Sequence, residues 1–148
     1  MKPAPYGYAR AATLDDVLSL LAEHGDDAKI LAGGQSLMAT LNMRLSEPKI
    51  LIDINRIDGL AGLEDAGDAI RIGAMTRHVD VEDSHIVATH APLIAAAMEH
   101  IAHPAIRNRG TFGGSIAFAD PAAELPACAV ALQATMHVAG KDGTRDIA

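Results

Sequence analysis

The stretch LAGGQSL, residues 31–37, places two adjacent glycines directly between an apolar run and a helix-like run. The apolar run KILA, 29–32, predicts a short buried strand, and SLMATLNMRL, 36–45, predicts a helix. A strand, a glycine turn and a helix in this order point backbone N–H groups at one place, which suits an anion. The pattern therefore predicts an α/β unit whose loop is shaped by glycine.

A second stretch, RGTFGGS at 109–115, repeats this pattern. Glycine permits a positive φ and lets a ligand approach the backbone closely. Consecutive N–H groups in such turns form a concave anion site, and the hydroxyls of Ser36, Thr111 and Ser115 add donors. Two such sites facing one another would hold the two phosphates of a dinucleotide. Five of the thirteen glycines lie in the two stretches: Gly33, Gly34, Gly110, Gly113 and Gly114.

The better-known phosphate motifs are absent from the chain. Neither G-x-x-x-x-G-K-[ST] nor G-x-G-x-x-G occurs, so the sequence does not predict nucleotide hydrolysis or a Rossmann dinucleotide site. The residues alone leave two interpretations open. The glycine pairs are either simple tight turns or a backbone-dominated pyrophosphate site that uses no lysine.

Composition narrows the class of protein. A chain of 148 residues with 49% hydrophobic residues predicts a globular protein of one domain or two small lobes. The longest apolar runs fall far short of the roughly 20 residues of a membrane-spanning helix, and the N-terminus has no apolar signal region. We therefore expect a cytoplasmic protein without membrane insertion.

Charge and cysteine content exclude further classes. The single cysteine, Cys128, excludes an internal disulfide and a cysteine-only iron–sulfur site within this chain. A net charge of −7 argues against nonspecific nucleic-acid binding, which needs a basic surface. Any phosphate must then be held by local geometry.

The first fifty-five residues predict a small α/β lobe. Leu14, Val17, Leu18 and Leu21 form the apolar stripe of a helix. Thr13 and Asp16 predict a capping box at the start of this helix, and Gly25 fits its end. The run KILIDI, 49–54, predicts a strand that is parallel to the first strand and buried on both faces.

Residues 56–148 predict a second lobe with an incomplete mixed or antiparallel sheet. A hairpin is expected over 59–75 with its turn near Gly67 and Asp68, and another over 134–148 around a Lys-Asp-Gly turn. Between them, a helical stretch is expected from Pro92 to Pro104. The last strand has no visible partner in the sequence, so we expect the chain to be a piece of a longer polypeptide.

Three segments together resemble a known family. LAGGQSL, GAMTRH at 73–78 and IRNRGTFGGS at 106–115 are similar to the FAD-binding medium subunit of molybdenum hydroxylases, the group of aerobic carbon monoxide dehydrogenase and xanthine dehydrogenase. The resemblance covers essentially the whole chain, although members usually continue for about this length again. It implies an α+β, two-lobed FAD-binding fold of the PCMH type, with the lobes at 1–55 and 56–148.

The resemblance also implies the cofactor, FAD, and its binding residues. In that family the two glycine motifs clamp the FAD pyrophosphate, and acidic side chains after the second motif approach the nucleotide. Glu124 is the first candidate acceptor for ribose or ribityl hydroxyls and Asp120 the second; for Asp120 a solvated helix start is an equal alternative. The implied pyrophosphate residues are Ala32, Gly33, Gly34, Gln35 and Ser36, with Thr111, Phe112, Gly113, Gly114 and Ser115.

The implied function is electron transfer within a multi-subunit oxidoreductase. The intact subunit would receive electrons from an iron–sulfur small subunit, itself fed by a molybdopterin large subunit, and pass them to an external acceptor. No residue of this chain would act as an acid, base or nucleophile, because the flavin supplies the chemistry. Two other hypotheses remain: a non-redox nucleotide- or phosphate-binding module, and an empty structural fragment that binds only partner subunits.

Other reactive side chains receive plainer interpretations. His100 and His103 lack further ligands at metal-binding spacing, so no metal site is predicted. Arg107 and Arg109 either neutralise phosphate or are exposed or ion-paired beside the glycine turn. Cys128 is expected to be a small buried hydrophobe. Met75 and Met98 are expected in the core.

Overall fold

A computed structural model describes residues 2–148, and the chain divides into two units. The first unit contains the residues up to Asp58 together with Thr135–Ala148, and the second contains Gly59–Ala134. The chain thus leaves the first unit once and returns to it. The sequence-based domain boundary at residue 55 stays a prediction.

Along the described residues, strands and helices alternate up to the strand Ile50–Asp53, after which a hairpin, six successive helices and a second hairpin follow. The strands are β1 (Gly7–Arg10), β2 (Ala28–Leu31), β3 (Ile50–Asp53), β4 (Leu63–Asp65), β5 (Ile70–Ile72), β6 (Met136–Gly140) and β7 (Gly143–Ile147). The helices are α1 (Leu14–His24), α2 (Leu37–Asn42), α3 (His78–Glu82), α4 (His85–His90), α5 (Pro92–Met98), α6 (Pro104–Arg107), α7 (Phe112–Phe118) and α8 (Glu124–Ala131).

The first unit is organised around a parallel three-stranded sheet in the order β1-β3-β2. The central strand β3 carries Leu51 and Ile52, which are 1% and 0% exposed. This confirms the predicted strand at 49–54, its burial and its parallel pairing with β2. Strand β1 was not predicted, because its sequence GYAR has no apolar alternation. The segment is a strand because it pairs with β3.

Helix α1 begins as its sequence predicts. The Thr13 hydroxyl accepts a hydrogen bond from the Asp16 amide at 3.1 Å, and the Asp16 carboxylate accepts one from the Thr13 amide at 2.9 Å. These two bonds form the predicted capping box and satisfy N–H groups that a helix start leaves free. Val17 packs into a core with Ala11, Ala28 and Ile52.

The second unit packs helices α3 to α8 with the antiparallel hairpin β4–β5. The hairpin and its turn at Gly67 were predicted. Met98, which is fully buried, and Cys128 both belong to the core, as expected, and Met75 is 7% exposed. The buried core consists of Val81, Val87, Ala91, Ile94, Ala97, Met98, Leu125 and Cys128.

The helix expected from Pro92 to Pro104 is shorter. It ends at Met98 as α5. Pro104 does not end this helix but is the first residue of the next helix, α6. Ala102, with a φ of +48°, takes the chain out of the right-handed helical region. Proline suits the first position of α6 because that N–H would have no helical partner.

The C-terminal segment forms the predicted hairpin. Strands β6 and β7 pair antiparallel across a turn at Lys141 and Asp142, and every residue of β7 is exposed. In residues 2–148, no helix combines the length and apolar character needed to cross a bilayer.

Candidate functional site

The first glycine motif lies where β2 leaves the carboxyl end of the parallel sheet. Gly33 is buried, and Gly34 has a φ of +72°, which an L-residue rarely adopts. The Gly34 carbonyl accepts a hydrogen bond from the Met38 amide at 3.1 Å, so the chain passes directly into α2. Glycine at position 34 is required by this turn.

Backbone donors are unused in this first motif. Across residues 2–148, no protein acceptor is placed for the N–H groups of Gly33, Gly34, Gln35 or Ser36. The Gln35 side chain folds back on the loop, donating to the Gly33 carbonyl at 3.1 Å. The Ser36 hydroxyl does not cap α2. Four consecutive donors are therefore available to an anion, and no lysine is involved.

Polar residues at the sheet edge hold the start of this loop. The Asn55 amide nitrogen donates to the Ala32 carbonyl at 2.9 Å and to the Asp53 carboxylate at 2.7 Å. The Tyr8 hydroxyl donates to the other oxygen of Asp53. Burial opposes ionisation of Asp53, but the hydrogen bonds from Tyr8 and Asn55 outweigh it and hold the pKa of the carboxyl below its usual value.

The second glycine motif begins a helix instead of forming an open loop. Thr111 is the N-cap of α7, and its hydroxyl accepts from the Gly114 amide at 3.2 Å. The amides of Phe112, Gly113 and Ser115 donate to the carbonyls of Thr76, Ala74 and Thr111 at 2.9, 2.9 and 3.1 Å. The N–H groups of Phe112, Gly113, Gly114 and Ser115 are thus already engaged inside the second unit.

The segment GAMTRH, 73–78, is the partner of this second motif. Besides the bonds from Phe112 and Gly113, the His78 amide donates to the Gly110 carbonyl at 3.0 Å, and Arg77 and Thr111 form an antiparallel bridge. A Cβ at Gly113 would lie 2.6 Å from the Ala74 Cβ. Gly113 is therefore required by close packing against this segment, and the sequence did not indicate this role.

The side chain of His78 joins the same two segments. It is 4% exposed, and its Nε2 atom lies 3.0 Å from the Thr111 carbonyl oxygen and 3.1 Å from the Ser115 hydroxyl. A carbonyl only accepts, so Nε2 carries the hydrogen and Nδ1 carries the lone pair. Nδ1 is buried without a partner among the described residues, which a neutral imidazole tolerates.

Burial is the main cause that lowers the pKa of His78, and the charge of Arg107 acts in the same direction. The hydrogen bond with Thr111 opposes both. His78 is therefore a neutral structural histidine beside the second motif.

The two acidic candidates lie at and before the start of α8. Glu124 is the first residue of that helix and is half-buried. Asp120 is exposed, and its carboxylate accepts from the Ala122 amide at 2.9 Å, in a turn before the helix. Asp120, Pro126 and Val130 line part of an open, mostly apolar depression of about 450 Å³. Both carboxylates retain oxygens that can accept from hydroxyl groups.

The structure assigns Arg107 to an ion pair. Its Nε donates to the Glu82 carboxylate at 2.7 Å, and its side chain is only 12% exposed. His103 precedes α6 as its N-cap, and His100 is exposed. Within residues 2–148, no three histidine, cysteine, aspartate or glutamate side chains cluster as a metal site would require.

Residues 4–148 match the family described as "FAD binding domain in molybdopterin dehydrogenase". The chain belongs to this family. The cofactor predicted from the resemblance, FAD, is the one that the family description names, and the resemblance itself is confirmed.

The names of individual relatives are consistent with this family. The chain is 48% identical over 147 residues to the 6-hydroxypseudooxynicotine dehydrogenase complex subunit alpha of Paenarthrobacter nicotinovorans, covering 99% of this chain and 50% of the relative. It is 41% identical over 147 residues to the carbon monoxide dehydrogenase medium chain of Hydrogenophaga pseudoflava, covering 99% and 51%. The chain thus spans about half the length of the curated relatives it matches.

A solved structure shares the fold. The structure of carbon monoxide dehydrogenase from Hydrogenophaga pseudoflava lacking the Mo-pyranopterin moiety superposes with a TM-score of 0.96 and 41% identity. The match covers 99% of this chain and 51% of that one. The predicted α+β fold of this family is confirmed.

Proposed function

We propose that this chain binds the pyrophosphate of FAD with the backbone of its first glycine motif. The supporting observation is the set of unused N–H donors at Gly33, Gly34, Gln35 and Ser36, at the carboxyl end of a parallel sheet. Backbone donors suit a chain of net charge −7, in which an anion must be held by local dipoles. FAD, when bound, supplies the redox chemistry, and the protein holds and orients it.

The other predicted contacts keep their roles in this proposal. Ala32 begins the first motif, and the second motif, Thr111–Ser115, contributes through helix α7. Because the N–H groups from Phe112 to Ser115 already have protein acceptors, these residues would share those donors or use the Ser115 hydroxyl. Glu124 and Asp120 are proposed acceptors for ribose or ribityl hydroxyls.

We further propose the role of the intact protein from its relatives, which are named as subunits or medium chains of dehydrogenases. In this proposal it receives electrons from an iron–sulfur small subunit, fed by a molybdopterin large subunit, and passes them to an external acceptor. A cytoplasmic location belongs to the same proposal.

Flavin titration tests the cofactor assignment. The flavin-free chain is titrated with FAD, and quenching of flavin fluorescence gives the affinity. Alanine at Gly34 adds a Cβ to the loop, at 3.2 Å from Leu31 and 3.3 Å from Met38, and strains a φ of +72°. We expect Gly34→Ala to weaken FAD binding about tenfold or more, which corresponds to about 1.4 kcal/mol.

The matched control is Gly67→Ala. Gly67 also has a positive φ, +91°, but lies in the β4–β5 turn with no atoms near its added Cβ. The Gly67→Ala variant carries a similar backbone strain but leaves the first glycine motif unchanged. Equal FAD affinity in both variants and the wild type would refute the assignment of the first motif.

Parallel titrations with ADP and with inorganic pyrophosphate separate the alternatives. Tight FAD binding with much weaker ADP binding supports a flavoprotein. Equal binding of ADP and FAD favours the non-redox nucleotide module. No binding of any of the three favours a structural fragment that binds only partner subunits.

A further inference from the structure

A chain of hydrogen bonds connects the three strands of the parallel sheet to the first glycine motif. The Tyr8 hydroxyl on β1 donates to the Asp53 carboxylate, at the end of the central strand β3. Asp53 accepts from the Asn55 side chain at 2.7 Å and from the Asn55 amide at 2.8 Å. Asn55 in turn donates to the Ala32 carbonyl at 2.9 Å. All three strands therefore support the first residue of the motif.

The orientation of the Asn55 amide is fixed by its acceptors. Its nitrogen has two hydrogens, which the Ala32 carbonyl and the Asp53 carboxylate occupy. The Leu31 carbonyl, at 3.4 Å, is a weaker third neighbour. The reversed amide would place its oxygen against the same acceptor oxygens. Only one orientation satisfies the group.

The bond to Ala32 determines where the next N–H group points. The carbonyl of Ala32 and the N–H of Gly33 belong to one peptide group, and the described chain contains no cis peptide bond. In a trans peptide the C=O and N–H bonds point in opposite directions. Because Asn55 holds the Ala32 carbonyl, the Gly33 N–H is directed away from Asn55.

We propose that Asn55 is a positioning residue for the first glycine motif. It holds the Ala32 peptide so that the N–H groups beginning at Gly33 are presented together to the anion. Asp53, held by Tyr8, keeps the Asn55 amide in place. As a role in cofactor binding, this inference rests on the proposed function. As a role in ordering the loop, it is independent of FAD.

The decisive variant is Asn55→Asp, which keeps the side-chain size but replaces the donor nitrogen by an oxygen. That oxygen faces two acceptors, so the hydrogen bond to Ala32 is lost and the Asp53 carboxylate is repelled. Asn42→Asp is the matched control. Asn42 is the exposed last residue of α2, and its substitution by aspartate adds the same charge.

The first measurement uses the flavin-free chain. Backbone ¹⁵N order parameters of Gly33, Gly34, Gln35 and Ser36 are expected near 0.85 in the wild type and in Asn42→Asp. In Asn55→Asp they should fall below about 0.6, the range of a flexible backbone. Unchanged order parameters in Asn55→Asp would overturn the inference, and so would an equal loss in Asn42→Asp.

The second measurement is FAD affinity as a function of pH. We expect Asn55→Asp to bind FAD about fivefold to tenfold more weakly than Asn42→Asp at neutral pH. Lowering the pH should remove part of this difference, because two facing carboxyls raise one another's pKa and a shared proton restores a donor. Arg10 is a further charged group of this cluster, and its Nε donates to the Tyr8 hydroxyl at 3.3 Å. A difference that does not narrow would contradict a positioning role.

The outcomes separate the two proposals. If the wild type fails to bind FAD while Asn55→Asp still disorders the loop, the proposed function fails and the ordering role stands. If the wild type binds FAD and Asn55→Asp binds it equally well, the positioning role fails. Should Asn55→Asp not fold, Asn55→Ala deletes the donor without adding charge, and the order parameters and the FAD affinity at neutral pH decide.

Discussion

The Nε2 atom of His78 lies 3.0 Å from the carbonyl oxygen of Thr111, across 33 positions of sequence. This bond fixes the tautomer of a buried imidazole and joins the segment 73–78 to the N-cap of α7. Its Nδ1 atom has no partner among residues 2–148. Protonation would create a buried N–H donor at Nδ1, so the folded state favours neutral His78.

The stability of the protein should therefore fall at mildly acidic pH. Burial lowers the pKa of His78 in the folded state, whereas the unfolded chain titrates near the usual value of about 6.5. Below that pH the unfolded state binds more protons. The contribution of neutral His78 to the free energy of unfolding is complete above about pH 6.5. It decreases as the pH falls toward the folded-state pKa of His78, by at most about 1.4 kcal/mol per pH unit.

Urea unfolding between pH 7.5 and 5 measures this dependence. The wild type is compared with His78→Asn and with His100→Asn, whose histidine is exposed. Removing His78 should flatten the dependence of the free energy of unfolding on pH. Removing His100 should leave that dependence unchanged. A profile that keeps its full slope in His78→Asn would assign the dependence to other groups.

Gly113→Ala should destabilise the second unit. The added Cβ would lie 2.7 Å from the Ala74 Cα and 2.8 Å from its carbonyl oxygen, so backbone must move. Overpacking of this kind costs about 1–3 kcal/mol. The free energy of unfolding in urea measures the loss. Gly140→Ala is the control, since its nearest neighbour would be the Gly143 oxygen at an ordinary 3.8 Å, and a comparable loss there would refute the packing argument.

Thr13→Ala should destabilise helix α1 by about 1 kcal/mol, because it removes the side-chain half of the capping box. Ser19→Ala makes the same chemical change at an exposed position inside α1. It should be neutral or slightly stabilising, since alanine is the better helix former. Thermal and urea unfolding of both variants give the comparison, and equal effects would exclude a capping contribution.

Arg107→Met should reduce stability without changing FAD affinity. The substitution removes the bond to Glu82 at 2.7 Å and those to the Ile101 and Ala102 carbonyls at 3.0 and 3.3 Å. The Glu82 and Ile101 acceptors are partly buried, and leaving them unpaired costs about 1–3 kcal/mol. Arg145→Met, in the exposed strand β7, controls for the lost charge. A selective loss of FAD affinity in Arg107→Met would instead support a phosphate contact.

Much of the fold followed from local patterns. The capping box of α1, the buried strand β3 and both hairpins depend on residues within about a turn or a strand of one another, so periodicity and turn residues were enough. Strand β1 and the early end of α5 were missed. The first exists because β3 lies beside it. No sequence pattern marked the end of α5 at Met98 or the positive φ of Ala102 beyond it.

The candidate site divides in the same way. The sequence located both glycine motifs and, through the family resemblance, their ligand. It did not indicate that Asn55 holds the Ala32 carbonyl, or that the segment 73–78 accepts hydrogen bonds from the Phe112 and Gly113 amides. These contacts join residues that lie 23 or more positions apart, and no local pattern specifies them.

The sequence by itself located both glycine pairs and, through the resemblance, indicated an FAD-binding family. Only the tertiary structure decided what each pair does. Gly34 is required by a φ of +72° in a loop whose donors stay free, and Gly113 by the backbone of Ala74 packed against it. Identical dipeptides acquire different roles because the hydrogen-bond partner of an N–H group is set by whichever distant segment packs beside it.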